Sequence, residues 1–550
     1  MYSKHNIYSG ATALALFLLL GACKKYEPEP VEFLTKNYVY DKMDRNGDYA
    51  KQVLNHLYTY LPNGYNRIDH VVLDAATDDA VSSDNYSTIE LLSKSRINAV
   101  STNPDGYWYD GYAAIRDVNQ FLAHIDNVPV TAQIKQYWKG EARFIRAMNY
   151  FELIKRYGGV PLLGDQLFSQ EDEVSLPRSS YGECVQYIVD ELDHISDSLR
   201  EDPVQDLDLG RITRGAALAL KSRVLLYAAS PLNNPDNDPG KWQQAADAAK
   251  AVMDLHVFSL ESNYVSLFVK RKNKEVILAY QRAQTTDVER NNAPVGYAEP
   301  NQSNGYVSPT QELVDAFPMR NGLPVDDAAS GYDPANPYAS RDPRLGATVF
   351  YNGAAWLSRP VETFEGGLDK PNLIQRQTRT GYYMRKFLAD YSGSTAYGNQ
   401  DHNFPIFRYA GILLNYAEAA NELGDQDAAY EQLKAIRKRA GIDPGADEMY
   451  GLKAGMTQEE MRKAVRLERR IEMAFEEQRF WDIRRWKIAG DVADGTLHGM
   501  KIEKNADGSF TYQTVGISDI LFTAPKMYLY PIPYEEIAGN PAVTQNPGWE

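Results

Sequence analysis

Cysteine is almost absent from this chain: 550 residues contain two, Cys23 and Cys184. At most one disulfide is possible, and none if either thiol is otherwise used. Catalytic and cofactor signatures are missing as well. There is no C-x-x-C, H-E-x-x-H, G-x-S-x-G or G-x-x-x-x-G-K-[ST], and the eight histidines are scattered without metal-ligand spacing. Asp44 to Asp48 resembles the start of a calcium loop, but its glycine comes one place early and position twelve is Asn55 rather than glutamate. Asp78-Asp79 and Asp236-Asn237-Asp238 read as helix caps rather than cation ligands. No metal, cofactor or catalytic group is expected. Basic residues are outnumbered, 58 against 74 acids, for a net charge of −16. Without a basic patch or tail, nucleic-acid binding is excluded. Long apolar runs are also lacking. Residues 11–20 form an apolar run of about ten residues, too short to span a bilayer.

That run has a meaning of its own. Lys4 precedes it, and Leu20-Gly21-Ala22-Cys23 ends it in a sequence that resembles the bacterial lipoprotein box. Residues 1–22 are therefore expected to be removed and Cys23 to carry lipid. Multiple acyl chains anchor durably, so the mature protein would be tethered to a membrane without crossing it. Residues 23–45 are read as the tether, polar and Pro-rich over 24–35. Cys184 is left alone, inside an amphipathic stretch, and reads as a buried structural thiol.

Helical periodicity dominates from about Val53 onward. Helices are expected over 106–127, 137–157, 181–199, 211–230, 241–255, 408–423 and 427–441. Gly158-Gly159 should stop the second of these. Small residues crowd one helix of each pair and an apolar face marks the other. That is the plan of tetratricopeptide-like hairpins, here degenerate and far apart. Residues 465–486 read as one amphipathic helix, capped by Thr457 with Glu460. Arg469/Glu472, Glu476/Arg479 and Arg479/Asp482 sit three apart, the offset of neighbours on a helix surface. Phe475, Phe480, Trp481 and Trp486 interleave with those charges, so a central structural helix is expected rather than a solvated charge run. Residues 269–407 differ: Gly, Pro, Asn and Tyr are frequent and helical periods few. Long ordered loops on a helical scaffold are where binding groups tend to sit. The 38 tyrosines fit both interhelical packing and a recognition surface.

The segment ERRIEMAFEEQRFWDIRRW resembles the C-terminal signature of the SusD/RagB family, lipid-anchored nutrient-binding proteins of Bacteroidetes outer membranes. GEARFIRAMNYFELIKRYGGVPL, GRITRGAALALKSRVLLYA, SPTQELVDAFPMRNGLPV, RDPRLGATV, LLNYAEAANEL, AIRKRAGI and YLYPIPYEEIAGNPAVTQNPGW are similar to further motifs of that family, in order. The resemblance implies a mainly α, tetratricopeptide-like scaffold with a long loop-rich insertion. Its parts are expected at 46–268 (N-terminal helical part), 269–407 (insertion, holding the ligand) and 408–550 (C-terminal helical part). It also implies a surface-exposed outer-membrane protein that captures a nutrient, such as an oligosaccharide, and passes it to a SusC-type TonB-dependent transporter, without catalysis.

Sugar rings stack on aromatic planes while amides, carboxylates and guanidinium groups bond their hydroxyls. Loop residues of those types are the ligand candidates: Asp84, Asn85 and Tyr86; Tyr297, Asn304 and Tyr306; Tyr351, Trp356 and Arg359. Trp356, in a Gly-Ala-Ala-Trp loop, is the first choice for a stacking platform, and its removal should weaken binding while leaving thermal stability nearly unchanged. Two other readings stay open: a surface glycoside hydrolase, and a helical-repeat scaffold that binds only proteins.

Overall fold

A computed structural model describes residues 39–550 apart from 102, 170–171, 173–174, 298–301, 375 and 392. The lipoprotein box and Cys23 lie outside the described residues.

The fold is mainly helical, and its strands pair only in twos among the described residues. After a first helix α1 (Asp48–Leu57), a run of packed helices begins: α2 (Trp108–His124), α3 (Ala132–Tyr157), α4 (Tyr181–Ser196), α5 (Arg214–Ala229) and α6 (Pro239–Met253). Their starts follow from side-chain caps that satisfy otherwise orphaned amide groups. Thr131 accepts from the Ile134 amide, Ser180 forms a capping box with Glu183, Thr213 accepts from Ala216, and Asp238 accepts from Gly240. Gly158, at φ 73°, stops α3 as its sequence requires. The sequence places Cys184 on α4, where it is fully buried with its thiol against the Val160 carbonyl. Burial pushes that thiol up to about 11, which fits a structural residue.

Each helix packs on the next, α2 on α3 through α5 on α6. Alanines on α5 (Ala216, Ala217, Ala219) and α6 (Ala245, Ala246, Ala248, Ala249) are buried and permit close approach. The chain then leaves the stack and returns at α7 (Tyr409–Glu422), which lies directly on α6 and carries α8 (Gln426–Ala440) and α9 (Gln458–Glu472) on its other sides. Hairpins distant in sequence are thus consecutive layers in space. The departure and return are stitched by an antiparallel pair, β2 (Val276–Tyr280) with β4 (Phe404–Arg408), in which Val276 faces Arg408. A second short pair, β1 (Ala80–Ser82) with β3 (Val307–Pro309), ties the N-terminal part to the excursion. A longer hairpin, β5 (Gly495–Lys504) with β6 (Phe510–Ile520), follows the last helices.

The stretch 465–486 departs from the single helix expected. The predicted Thr457/Glu460 capping box is present, but α9 ends at Glu472. The chain turns through 473–478, with Phe475 at φ 64° and Glu477 at φ 57°, and resumes as α10 (Arg479–Arg485). Tertiary contacts hold the break. Asp74 accepts the Phe475 amide at 2.9 Å, and the Glu472 and Glu476 carboxylates reach away to Arg408 at 2.7 Å each.

The expected three-apart pairs accordingly do not form. Arg469 bonds Asp482, Asn415 and Gln478, and Arg479 grips Asp78 with two nitrogens. Asp78 and Asp79 are therefore partners of Arg470 and Arg479 rather than helix caps. Arg408 alone gathers Glu275, Glu472 and Glu476. Arg344 joins Glu468 and Glu472, which binds the excursion to α9, and Lys386 joins Glu476 in the turn that follows it. All these groups are buried except Arg470, which is half-buried. Phe475, Phe480, Trp481 and Trp486 fill the space between them, each no more than 3% exposed. The arginines do hold neighbouring segments together, through long-range contacts. Removing one partner of such a pair strands a buried charge, which costs far more than a surface bridge contributes.

Candidate ligand-binding surface

The nine loop candidates divide into two groups. Pairing of β1 with β3 places Ser82 opposite Val307, so the chain just after β1 and just before β3 emerges at one end. Asp84 and Tyr306 are bridged there by Arg376, with Asn85 and Tyr86 following Asp84 on its loop, while the Asn304 side chain donates to the Arg290 carbonyl at 3.1 Å. The Ser83 amide donates to the Tyr306 carbonyl at 2.8 Å, and its hydroxyl donates to the Gly305 carbonyl at 2.6 Å. Gly305 sits at φ 53°, and a Cβ on it would come within 2.3 Å of the Tyr383 ring. Glycine is required at that crossing.

The Tyr86 loop is short and pinned. The Tyr86 amide donates to Asp84 Oδ1 at 3.0 Å, a local turn. Asp69 Oδ2 accepts from both the Thr88 amide and hydroxyl at 2.6 Å. Partial burial pushes the Asp69 carboxyl up, but the Thr88 and Ser87 bonds outweigh it and hold it below the usual carboxylate range. On this fixed loop the Tyr86 ring is 81% exposed. Asn85 is exposed, and Asp84 and Asn304 are half-buried.

Two residues that sequence reasoning missed complete the surface. The His70 ring stacks on Tyr306 with centroids 4.8 Å apart. The Arg376 guanidinium lies 4.5 Å over the same ring, donates to its hydroxyl at 2.9 Å, and stands 3.7 Å from Asp84. Tyr306 is thereby an internal support, 8% exposed, while Tyr86 is the free face. Leu373, on the Arg376 loop, is 91% exposed beside it in sequence. Nothing local marks His70 or Arg376. Their roles arise from distant segments meeting.

The other four candidates form a separate packing cluster. Ala355–Trp356 and Arg359–Pro360 make a tight hairpin that turns Trp356 inward. Trp356 is 2% exposed, with Tyr297 at 5.0 Å, Phe350 at 5.2 Å and Tyr397 at 6.0 Å between ring centroids, and its indole N–H donates to the Ala389 carbonyl at 3.0 Å. It offers no face to a ligand, contrary to the expectation from its loop sequence. Tyr297 donates from its hydroxyl to the Arg359 carbonyl at 3.0 Å and is covered by the Arg359 guanidinium at 3.7 Å. Arg359 is committed to Asp369 through two bonds of 2.7 and 3.0 Å. Tyr351 stacks on Tyr338 at 4.3 Å.

The remaining acidic motifs resolve simply. Asp44 accepts the Tyr49 amide at the start of α1, and Asp238 caps α6. No cluster of His, Cys, Asp or Glu suited to a metal occurs among the described residues.

The described residues thus form a stack of helical hairpins that carries a pinned, loop-borne aromatic surface. A family model described as "SusD family" matches residues 274–549, and one described as "Starch-binding associating with outer membrane" matches residues 37–226. The chain belongs to the SusD family. Among relatives, SusD-like protein P2 of Formosa agariphila is 23% identical over 457 residues, 80% of each chain. A SusD-like protein of Bacteroides ovatus is 24% identical over 407 residues, covering 71% of this chain and 67% of that one. A SusD-like protein of Bacteroides fragilis superposes with a TM-score of 0.79 at 28% identity, over 94% of this chain and 98% of its own. A SusD-like carbohydrate binding protein of the same species gives 0.74 at 25% identity, over 92% and 100%. A laminarin binding SusD-like protein shares the fold, at 0.62 and 22% identity over 91% and 99%.

Proposed function

We propose that this protein is a non-catalytic outer-membrane lipoprotein, anchored through Cys23 at the cell surface. In this reading it captures an oligosaccharide on the Tyr86 surface and delivers it to a SusC-type TonB-dependent transporter. The observation that carries the reading is the Tyr86 ring, exposed on a loop held rigid by Asp69 and Asp84. Such a ring offers a stacking plane at little entropic cost. Asp84 and Asn85 on the same loop, with Arg376 against Asp84, add donors and acceptors suited to hydroxyl groups. The carbohydrate- and laminarin-binding relatives support a glycan ligand, and the outer-membrane description of one matching family supports the location.

A glycan array on the mature protein tests the reading, followed by calorimetric titration. Binding without release of shorter products supports capture. Product release would favour the hydrolase, and no heat with any glycan would favour a protein-binding scaffold. For the anchor, labelled palmitate should join the wild-type chain, and Cys23→Ser should free the protein from the envelope fraction. Retention of the serine variant in envelopes would contradict the lipid anchor.

A further inference from the structure

Two cavities of about 410 and 390 Å³, which share no lining residue with the Tyr86 surface, lie where the start of α2 meets the C-terminal segment 531–543. They share Trp108, Tyr109 and Glu535 as lining, and so adjoin. The Tyr534 amide donates to the Ala99 carbonyl at 2.9 Å, which fixes one wall. Tyr109 and Tyr534 present rings that are 52% and 57% exposed. Asp110, Glu535 and Glu536 line the cavities, whereas no lysine, arginine or histidine does among the described residues. Arg156, which lies near the neighbouring Tyr107 ring, is itself consumed by Asp105 and Glu152. The wall formed by Asp110, Glu535 and Glu536 is consequently acidic, while Arg178, bonded only to carbonyl and amide oxygens, bears on the Tyr112 side of the second cavity. Burial, then the Glu536 and Glu535 carboxylates, push the Tyr109 phenol up.

Trp108 supplies an independent indication. It is 4% exposed, it lines both cavities, and its indole N–H meets no acceptor among the described residues. That nitrogen is not one of the sealed, unpaired atoms of the interior, so it stays accessible and can donate to an acceptor on a ligand.

We infer that this paired cavity is a second ligand site, taking a two-ring saccharide that carries protonated amines. The rings stack on Tyr109 and Tyr534, the ammonium groups meet Glu535, Glu536 and Asp110, and a hydroxyl oxygen accepts from Trp108. Carboxylates without resident cations favour an amine-bearing sugar over a neutral one, and the joined volume suits two rings. This site is separate from the Tyr86 surface and does not depend on it.

The test is calorimetric titration of the mature protein with the β-1,4-linked disaccharide of glucosamine. The N-acetylated disaccharide and a Lys-Tyr-Lys peptide serve as comparisons. The free-amine sugar should bind, with affinity retained in Tyr86→Ala. The N-acetylated sugar should bind about tenfold more weakly, and Glu535→Gln/Glu536→Gln, both surface changes, should cost the amine sugar about tenfold as well. Trp108→Phe, which keeps a ring and deletes the donor, should also weaken it. Equal affinity for the two sugars, or unchanged affinity in the Glu535/Glu536 variant, would overturn the assignment. Binding of the peptide with no heat from the amine sugar would make the cavity a protein-docking face and overturn it too. Loss of amine-sugar binding in Tyr86→Ala would move the sugar to the loop surface, overturning this site while leaving the proposed function intact.

Discussion

Trp356 and Tyr86 are both loop aromatics, and the structure assigns them opposite work. Trp356 is sealed by Tyr297, Phe350 and Tyr397. Trp356→Ala should therefore destabilise the protein by about 3–5 kcal/mol in denaturant unfolding, because transfer and cavity costs add. Glycan affinity of the folded variant should stay within about twofold, since the ring reaches no ligand. A stability change below about 1 kcal/mol would contradict its placement in the core. The sequence could not distinguish the two rings. Gly353-Ala354-Ala355 beside Trp356 reads as open space, yet a hairpin only two residues long per strand turns the indole inward. Asp84, Asn85, Tyr86, Asn304 and Tyr306 were legible as binding-type residues in loops, but the bridging of Asp84 and Tyr306 was not, because it depends on β1 pairing with β3 far along the chain. His70 and Arg376 carry no local signal at all.

Among the elements, the long helices were readable to within a few residues, because capping chemistry and Gly158 mark their ends. The break between α9 and α10 was not. Its left-handed residues are Phe475 and Glu477 rather than glycine or asparagine, and only tertiary partners such as Asp74 and Arg408 hold them there. Charge pairs were misread for the same reason. Helical spacing suggested local bridges, whereas burial rewards contacts between elements. Glu418 on α7 illustrates this: it accepts two bonds from Arg485 on α10, at 2.6 and 2.7 Å, and one from the Trp486 indole at 2.7 Å. Glu418→Gln leaves the buried Arg485 guanidinium with only Asp482, which Arg469 already shares, as countercharge. Unfolding free energy should fall by about 3–5 kcal/mol, read from denaturant midpoints. A loss below about 1 kcal/mol would show that this pair is dispensable to the junction of the two helices.

At the scale of the whole molecule, buried carboxylates set the acid limit of the fold. Burial pushes the Glu418 carboxyl up, but Arg485 outweighs it and holds it at about 2. Lys155 and Arg156 likewise hold Glu152 at about 2 against its burial. Both lie below the ordinary value of 4.5, so folding favours the ionised form. Their stabilisation is complete above about pH 4.5 and is lost as pH falls toward 2, on the order of 3 kcal/mol for each. Scanning calorimetry from pH 6 to 2 should show a melting temperature that is steady at first and drops steeply below about 4.5. A flat profile would contradict ionised pairing in the core.

The same scale shows what the scaffold is for. Helical periodicity revealed the hairpins, but not that α7 would dock on α6 across the intervening excursion, since nothing in a period states which layers touch. That docking, with the β2–β4 stitch, holds the excursion against the stack, and the β1–β3 pair presents the Tyr86 surface from it. The central claim is that this surface takes the glycan. Calorimetric titration of wild-type protein and Tyr86→Ala, with whichever oligosaccharide the array identifies, tests it most directly. The account predicts at least about a tenfold loss of affinity with the melting temperature unchanged, as expected for losing one stacking plane. Equal affinity in the two proteins would contradict it.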